Sequence, residues 1–340
     1  MPSGILSIDA GSRMLNIVEG IKSGRRGVTI RHAYSHTMHE ECMENGVITN
    51  REAFTAQLKE AIAKGGFKAT KAVLTISNAA AIVRDTSLPG ARKNVLESMV
   101  RNEMQEVFQD ETFRVIQYRR IGTNGTDNGE KSMRLRMAAI PFEVVSSYWE
   151  ALNEAGLTPL AMDVNANSSD KLLSGNISIN GIQALGRGSY IAMDFGYANT
   201  DIYFFTDSQT ELMRQIPMGL RDLYNAISNE NALAGINGAL KFPEGLDSIP
   251  KEAEPFLEQW LDEIVKVVQY YRSLRRGKII KRMFLYGGGA MIHGLPEYLT
   301  RMFDVPCEIL RKIDRVKDDG ALGEHGLAVC LNAIGAIIRL

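Results

Sequence analysis

Ile5-Leu6-Ser7-Ile8-Asp9-Ala10-Gly11-Ser12 opens the chain, and Tyr190-Ile191-Ala192-Met193-Asp194-Phe195-Gly196 repeats its pattern a little over half the chain later. In each copy an apolar run stops at an aspartate, and a glycine follows two residues on. A second run then returns, Met14-Leu15-Asn16-Ile17-Val18 in the first copy and Thr200-Asp201-Ile202 in the second. Two short apolar runs around such a turn read as a β-hairpin. Ile17 and Ile202 hold the same place in the two hairpins. One hairpin alone says little, since turns favour Asp and Gly. Two, at similar places in two halves, point to a duplicated α/β fold.

The residue types suit one chemistry. An aspartate ending a strand can hold a hydrated Mg²⁺. A glycine beside it lets backbone and phosphate approach closely. Hairpins built on Asp9 with Gly11 and on Asp194 with Gly196 would clamp a triphosphate from both sides. A third glycine site, Gly287-Gly288-Gly289, follows the short apolar run Met283-Phe284-Leu285-Tyr286. A strand, a triple glycine and a helix offer N–H groups and little bulk to a ribose, a phosphate or an adenine face.

Composition narrows the class. The chain has 340 residues, 39 basic against 40 acidic groups, and 45% hydrophobic residues. That is ordinary globular composition, long enough for about two domains. A net charge of −1 argues against a dedicated nucleic-acid binder. Cys42, Cys307 and Cys330 show no paired spacing, so a reducing compartment is expected rather than a disulfide framework. The N-terminus does not read as a signal peptide. No run of about 20 apolar residues offers a membrane span. The nearest candidate, Gly326 to Ile338, is short and holds Asn332. These features place the protein in the cytoplasm.

Between the hairpins the pattern changes. Phe54, Leu58 and Ile62 give a helical stripe ended by Gly65-Gly66. Strand signals follow at 72–76 and 81–83, with a turn at Leu88-Pro89-Gly90. A helix carrying Val95, Met99, Met104 and Phe108 comes next, then strands at 112–121 and 132–140. Residues 71–145 therefore read as a small inserted α+β module. Residues 1–70 and 146–188 would form the first domain, with 174–188 a loop or hinge. Residues 189–322 would form the second, with a helical part at about 220–280. There Pro255 opens a long helix with Phe256, Trp260, Ile264, Val267, Tyr271 and Leu274 on its apolar face. Residues 323–340 would return as a helix packed on the first domain.

These elements, in this order, resemble the actin-like ATPase superfamily, whose fold is a duplicated, ribonuclease H-like two-domain ATPase. Asp9-x-Gly11-Ser12 looks like its first phosphate loop, Asp194-x-Gly196 with Thr200 like its second, and Leu285 to Ala290 like its adenosine motif. The resemblance narrows to the PilM family of type IV pilus assembly. It is carried by Ile5 to Val18, Arg84 with Leu88-Pro89, Ala155-Gly156-Leu157 with Pro159 and Asp163, Trp260 to Ser273, and Ala333 to Arg339.

The resemblance implies a scaffold that binds ATP with Mg²⁺, the metal standing near Asp9 and Asp194 through water. It implies a partner, the cytoplasmic N-terminal segment of the inner-membrane protein PilN, which would bring the chain to the inner face of the membrane. An extended segment would dock beside the module near 82–100, with Ile82, Arg84, Leu88, Val95 and Met99 as contact residues. Other pilus assembly proteins and self-association are further expected contacts. Two departures stand out. Asn16 replaces the lysine usual at the end of the first hairpin, and Met218-Gly219 stands for a double glycine. No clear glutamate or glutamine stands where active relatives position water, so hydrolysis is expected to be weak or absent. Asn165 lies near that region and receives no role.

An FtsA-like division protein is the first alternative, and a small-molecule kinase the second. FtsA ends in a separate membrane helix, whereas here the sequence stops at Leu340 straight after an apolar helix. Two other clusters are read as ordinary surface. His32, His36 and His39 before Glu40, Glu41 and Cys42 fit a solvated strand end better than a metal site. Arg272, Arg275, Arg276, Lys278, Lys281 and Arg282 fit the cationic end of a helix.

Overall fold

The computed structural model describes residues 4–338 except 25, 40–41, 78–80, 109, 126–130, 184–187, 227–250, 275–278 and 324–325. Parts of three sequence readings therefore lie outside the described residues. They are Thr126 to Gly129 of the module's hairpin tip, residues 227–250 of the helical part at 220–280, and Arg275, Arg276 and Lys278 of the basic cluster.

The chain begins with a meander, β1 (Ile5–Ala10), β2 (Met14–Ser23) and β3 (Gly27–Thr37). A two-residue hairpin, β4 (Met43–Glu44) with β5 (Val47–Ile48), leads to α1 (Arg51–Gly65). Asn50 caps that helix, its side chain accepting from the Ala53 N–H at 3.0 Å, and Gly66 ends it in the left-handed region at φ 64°. Next come β6 (Lys71–Ile76), β7 (Ile82–Pro89), α2 (Lys93–Gln105), β8 (Arg114–Gly125) and β9 (Lys131–Pro141). Then follow α3 (Phe142–Glu154), β10 (Thr158–Val164) and α4 (Asn165–Leu173). A second short hairpin, β11 (Ser178–Ile179) with β12 (Ile182–Gln183), fills part of the region expected to be a plain loop.

The second half repeats the first. It runs β13 (Ser189–Phe195), β14 (Thr200–Thr206), β15 (Gln209–Ile216), α5 (Leu220–Ala226), α6 (Glu254–Leu274) and β16 (Ile280–Tyr286). Then come α7 (Leu295–Phe303), β17 (Cys307–Ile309), β18 (Val316–Asp318) and α8 (Gly326–Ile337). The first sheet is ordered β10-β6-β1-β2-β3-β18 and the second β15-β14-β13-β16-β17. Apart from β18 these are one topology written twice. β1 and β13 each pair antiparallel with the next strand and parallel with a later one. The register also repeats, since Asp9 lies opposite Asn16 and Asp194 opposite Asp201.

Burial follows the strand period. Along β13, Ile191, Met193 and Phe195 enter the second domain's core, beside Trp260 and Ile264 of α6. Tyr190 and Ala192 face the other way and join Leu6, Ile8 and Leu74 in the first domain's core. The two domains thus share apolar surface beneath the cleft. On α6 the buried face is Leu257, Trp260, Leu261, Ile264, Val268 and Tyr271, so the expected Leu274 is 52% exposed instead. α8 lies against β1, β2 and α4. Among the described residues no helix is long and apolar enough to cross a membrane.

The inserted module is narrower than its sequence pattern suggested. β6 sits inside the first sheet, between β1 and β10, and only β7, β9 and β8 form the separate three-stranded sheet. A buried parallel strand and a module strand both read as short apolar runs, so periodicity did not separate them. Leu88 and Pro89 are the end of β7, not a turn. Proline is tolerated there because β7 is an edge strand. α2 packs through Leu96, Val100 and the expected Met104, with Met99 and Phe108 partly buried beside them, whereas Val95 is 49% exposed.

α4 and α8 cross closely. A Cβ at Gly335 would strike the Ser168 carbonyl. Gly335→Ala should cost about 1–3 kcal/mol through forced separation of the helices. A thermal melt indistinguishable from the parent would show that this crossing tolerates spreading.

Candidate nucleotide cleft

β1 and β13 end at a common cleft of about 1600 Å³. Eight of the residues singled out from the sequence line it. Asp9, Gly11, Ser12 and Asn16 come from the first hairpin, and Asp194, Gly196, Gly287 and Gly288 from the second half. The turns are built alike: the Gly11 N–H donates to Met14 O at 3.1 Å, and the Gly196 N–H to Asn199 O at 3.0 Å. Each glycine therefore spends its own N–H closing its hairpin.

Three expected residues do not line the cleft. Thr200 is buried, its hydroxyl donating to Met218 O at 3.0 Å and accepting from the Trp260 indole at 2.9 Å. It anchors α6 and the 218–221 segment behind the hairpin. Gly219 lies against that hairpin, where a Cβ would come within 2.6 Å of Tyr197 O. Gly289 packs on Phe195, with 2.8 Å between the Phe195 Cβ and a Cβ built on the glycine. Gly287 does face the cleft. Its φ of 81° and its place against the Asp194 carboxylate, which a Cβ would overlap, both require glycine.

The cleft floor holds residues the sequence reading left without a role. Asp201, on β14 opposite Asp194, accepts from Gln215 Nε2 at 2.9 Å and Asn199 Nδ2 at 3.1 Å. Asn332, from α8, donates its amide to Asp194 at 2.9 Å and accepts from Ser169 Oγ at 2.7 Å. Asn165, the first residue of α4, donates to Asp9 at 3.4 Å and accepts from Thr75 Oγ1 at 2.8 Å. A signal existed for two of them. Asp201 occupies the place in the second hairpin that Asn16 has in the first, and Asn332 is the one carboxamide in an apolar helix. Asn165 offers none, because only the fold brings β10's end to Asp9. Asn16 itself accepts from Ser35 Oγ at 2.7 Å.

Burial raises all three carboxyl pKa values. Asp9 is pushed up to about 7 by burial and then by the Asp194 charge. Asp201 rises to about 7 for the same two reasons, and Asp194 to about 6 by burial. The groups that pull them back are amides: Asn165, Asn16 and Asn332 at Asp9, Asn332 at Asp194, and Gln215 and Asn199 at Asp201. Neutral donors do not cancel buried negative charge. Among the described residues no group of three His, Cys, Asp or Glu side chains is placed to cage a metal. A hydrated Mg²⁺ on one or two carboxylates, finishing its shell with water and phosphate, suits this donor set.

Two matching sheets, two Asp-Gly hairpins facing one cleft and a glycine strand end beside the second aspartate define an actin-like ATPase fold. The model of the family described as type IV pilus assembly protein PilM matches residues 7–329. The chain belongs to the PilM family. Among solved structures it is similar to the PilM-PilN type IV pilus biogenesis complex, with TM-score 0.81 and 19% identity over 99% of both chains. It is also similar to the ethanolamine utilization protein EutJ from Carboxydothermus hydrogenoformans, with TM-score 0.57 and 11% identity over 99% of this chain and 90% of that one. No curated protein sequence matches the chain. The family match does not favour the FtsA-like and kinase alternatives.

Proposed function

We propose that this chain is a nucleotide-binding docking protein of a type IV pilus machine. It takes ATP with Mg²⁺ in the cleft and holds the cytoplasmic N-terminal segment of a PilN-like inner-membrane protein on its inserted module. That partner would bring it to the inner face of the membrane. The observation carrying the first part is the pair of facing hairpins with Asp9, Asp194 and Asp201 buried between them. The metal would offset this buried charge and the phosphate charge together; Asp9 and Asp194 would hold it through water, and Asp201 would orient that shell. Asn16, where the resemblance places a lysine, gives the phosphates no added positive charge, so binding rather than rapid hydrolysis fits the site.

The second part rests on family membership and on the likeness to a solved PilM-PilN complex. The module offers a suitable surface. β7 has a free edge among the described residues, and an extended segment can add to such an edge as a strand. Ile82 and Arg84 stand on β7 and Val95 and Met99 on α2; Ile82 and Met99 are partly buried against the module core, and Val95 is exposed. Leu88 is module core and unavailable to such a segment. Arg84 is engaged by Glu103 at 3.5 Å. Val95→Asp should weaken binding of a synthetic PilN N-terminal peptide at least about tenfold, since an exposed apolar anchor becomes a charge. Calorimetry giving the parent's affinity would remove this face from the docking surface.

The pH dependence follows from the carboxylates. Their folded values, about 6 to 7, exceed the ordinary 3.8. Between about pH 4 and 7 the native state therefore holds protons that the unfolded chain has lost. Stability without ligand should fall as pH rises through that window and flatten above it. Mg²⁺-ATP must displace those protons, so its affinity should rise about tenfold or more from pH 6 to pH 8. Titrations at both values, with paired melts, check this; equal affinities would mean that the carboxylates do not meet the metal.

A further inference from the structure

α4 is nine residues long and almost wholly buried, though its sequence, Asn-Ala-Asn-Ser-Ser-Asp-Lys-Leu-Leu, is mostly polar. Its side chains reach three parts of the molecule. Asn165 meets Asp9 of the first hairpin. Ser169, one turn on, meets Asn332, which holds Asp194 of the second hairpin. Asp170, the next residue, turns to the inserted module. The residue is 2% exposed and its carboxylate is shared. Arg119 of β8 bonds one oxygen, Thr210 of β15 donates to the other, and Arg136 of β9 stands 3.7 Å from the second.

The module grips the same helix again. Arg119 Nε donates to Asn167 at 2.5 Å, and Arg136 donates to Ala166 O at 3.0 Å and to both oxygens of Asp85 at 2.7 and 2.8 Å. Thr210 is held from both sides, since Arg134 of the module donates to its carbonyl at 2.9 Å while its hydroxyl serves Asp170. One short helix thus carries, within six residues, the contact to Asp9, the contact to the asparagine that holds Asp194, and a carboxylate shared by the module and the second domain.

We infer that Asp170 is the joint through which the cleft and the inserted module share one equilibrium, so that a ligand on either changes the affinity for the other. This rests on the reading of the cleft as a nucleotide site and of the module as a docking surface. Drawing β1 and β13 together around a ligand loads Asn165 and Ser169, and any shift of α4 moves Asp170 against Arg119 and Thr210. A buried carboxylate tolerates few arrangements of its donors, because a lost partner is not replaced by water. The module must then follow the helix or release the second domain, which makes the response stepwise.

The test uses the full chain, Mg²⁺-ATP and a synthetic peptide of the PilN N-terminal segment. Each ligand's affinity is measured by calorimetry with and without the other. In the parent the two ratios should be equal, as linkage requires, and about fivefold or more. Thr210→Val keeps the side-chain shape and removes only the second domain's donor to Asp170. Each ligand alone should bind within about twofold of the parent, and the ratio should fall below about two. Thr210→Ser should keep it. Arg119→Gln tests the module side of the joint, and serves if the valine variant does not fold. If both ligands bind and the parent ratio is one, or Thr210→Val leaves the ratio unchanged, the joint is overturned while the function reading stands. If ATP or the peptide does not bind the parent at all, that reading fails and the joint falls with it.

Discussion

Asp194→Asn is expected to weaken Mg²⁺-ATP binding by about 100-fold or more, a loss of about 3 kcal/mol. The change keeps the shape of the side chain and leaves an oxygen to accept from Asn332. It removes the charge that stands between Asp9 and Asp201 and raises both their pKa values. The same substitution should leave the ligand-free protein equally or more resistant to heat at pH 8. There the parent carries a buried charge met only by an amide, and such charge costs stability. Binding and stability should therefore move in opposite directions. Titration calorimetry and a melt on the same sample decide it: unchanged affinity removes Asp194 from the metal site, and a collapsed melt would make the residue structural.

Arg136→Leu is expected to give the largest stability loss of any substitution in the module, about 3–5 kcal/mol. Arg136 is 2% exposed and holds Asp85 with a two-pronged bond. Burial works against its charge, but Asp170 and Asp85 outweigh burial and hold the guanidinium above its ordinary pKa. Burial works against the Asp170 charge as well, and Arg136 with Arg119 outweighs it, keeping that carboxyl below its ordinary value. Leucine fills much of the space but leaves both acids short of a partner. A lysine should rescue little, since it lacks the planar fork that bonds both oxygens of Asp85. The melting temperature should fall by roughly 10 °C for a chain of this size. A shift under about 2 °C would mean that water or Arg119 replaces the lost partner at little cost.

The two aspartates, the hairpins around them and the third glycine site were legible because each rests on local rules. A strand that must stop, turn tightly and return leaves an apolar run, a polar residue and a glycine in sequence. Repetition of that pattern showed the duplication, and the sheets bear it out down to the register of Asp9 with Asn16 and Asp194 with Asp201. What misled was also local. Thr200 sits beside the motif in sequence and Gly219 follows it within the same domain, yet tertiary packing turns one hydroxyl to Trp260 and fills the space a Cβ would need at the other.

The sequence by itself determined which residue types could meet a phosphate and a metal, and that they come in two copies. Those properties belong to short stretches of chain, where strand period and turn chemistry act over a few residues. Only the tertiary structure decided what surrounds the carboxylates. Asn165 and Asn332 reach them from helices far away in the chain, and Asp170 joins three elements separated by tens of residues. No periodicity encodes such meetings. They follow from packing α4 against α8 under two sheets, where each buried polar group must find its partner wherever the fold brings one.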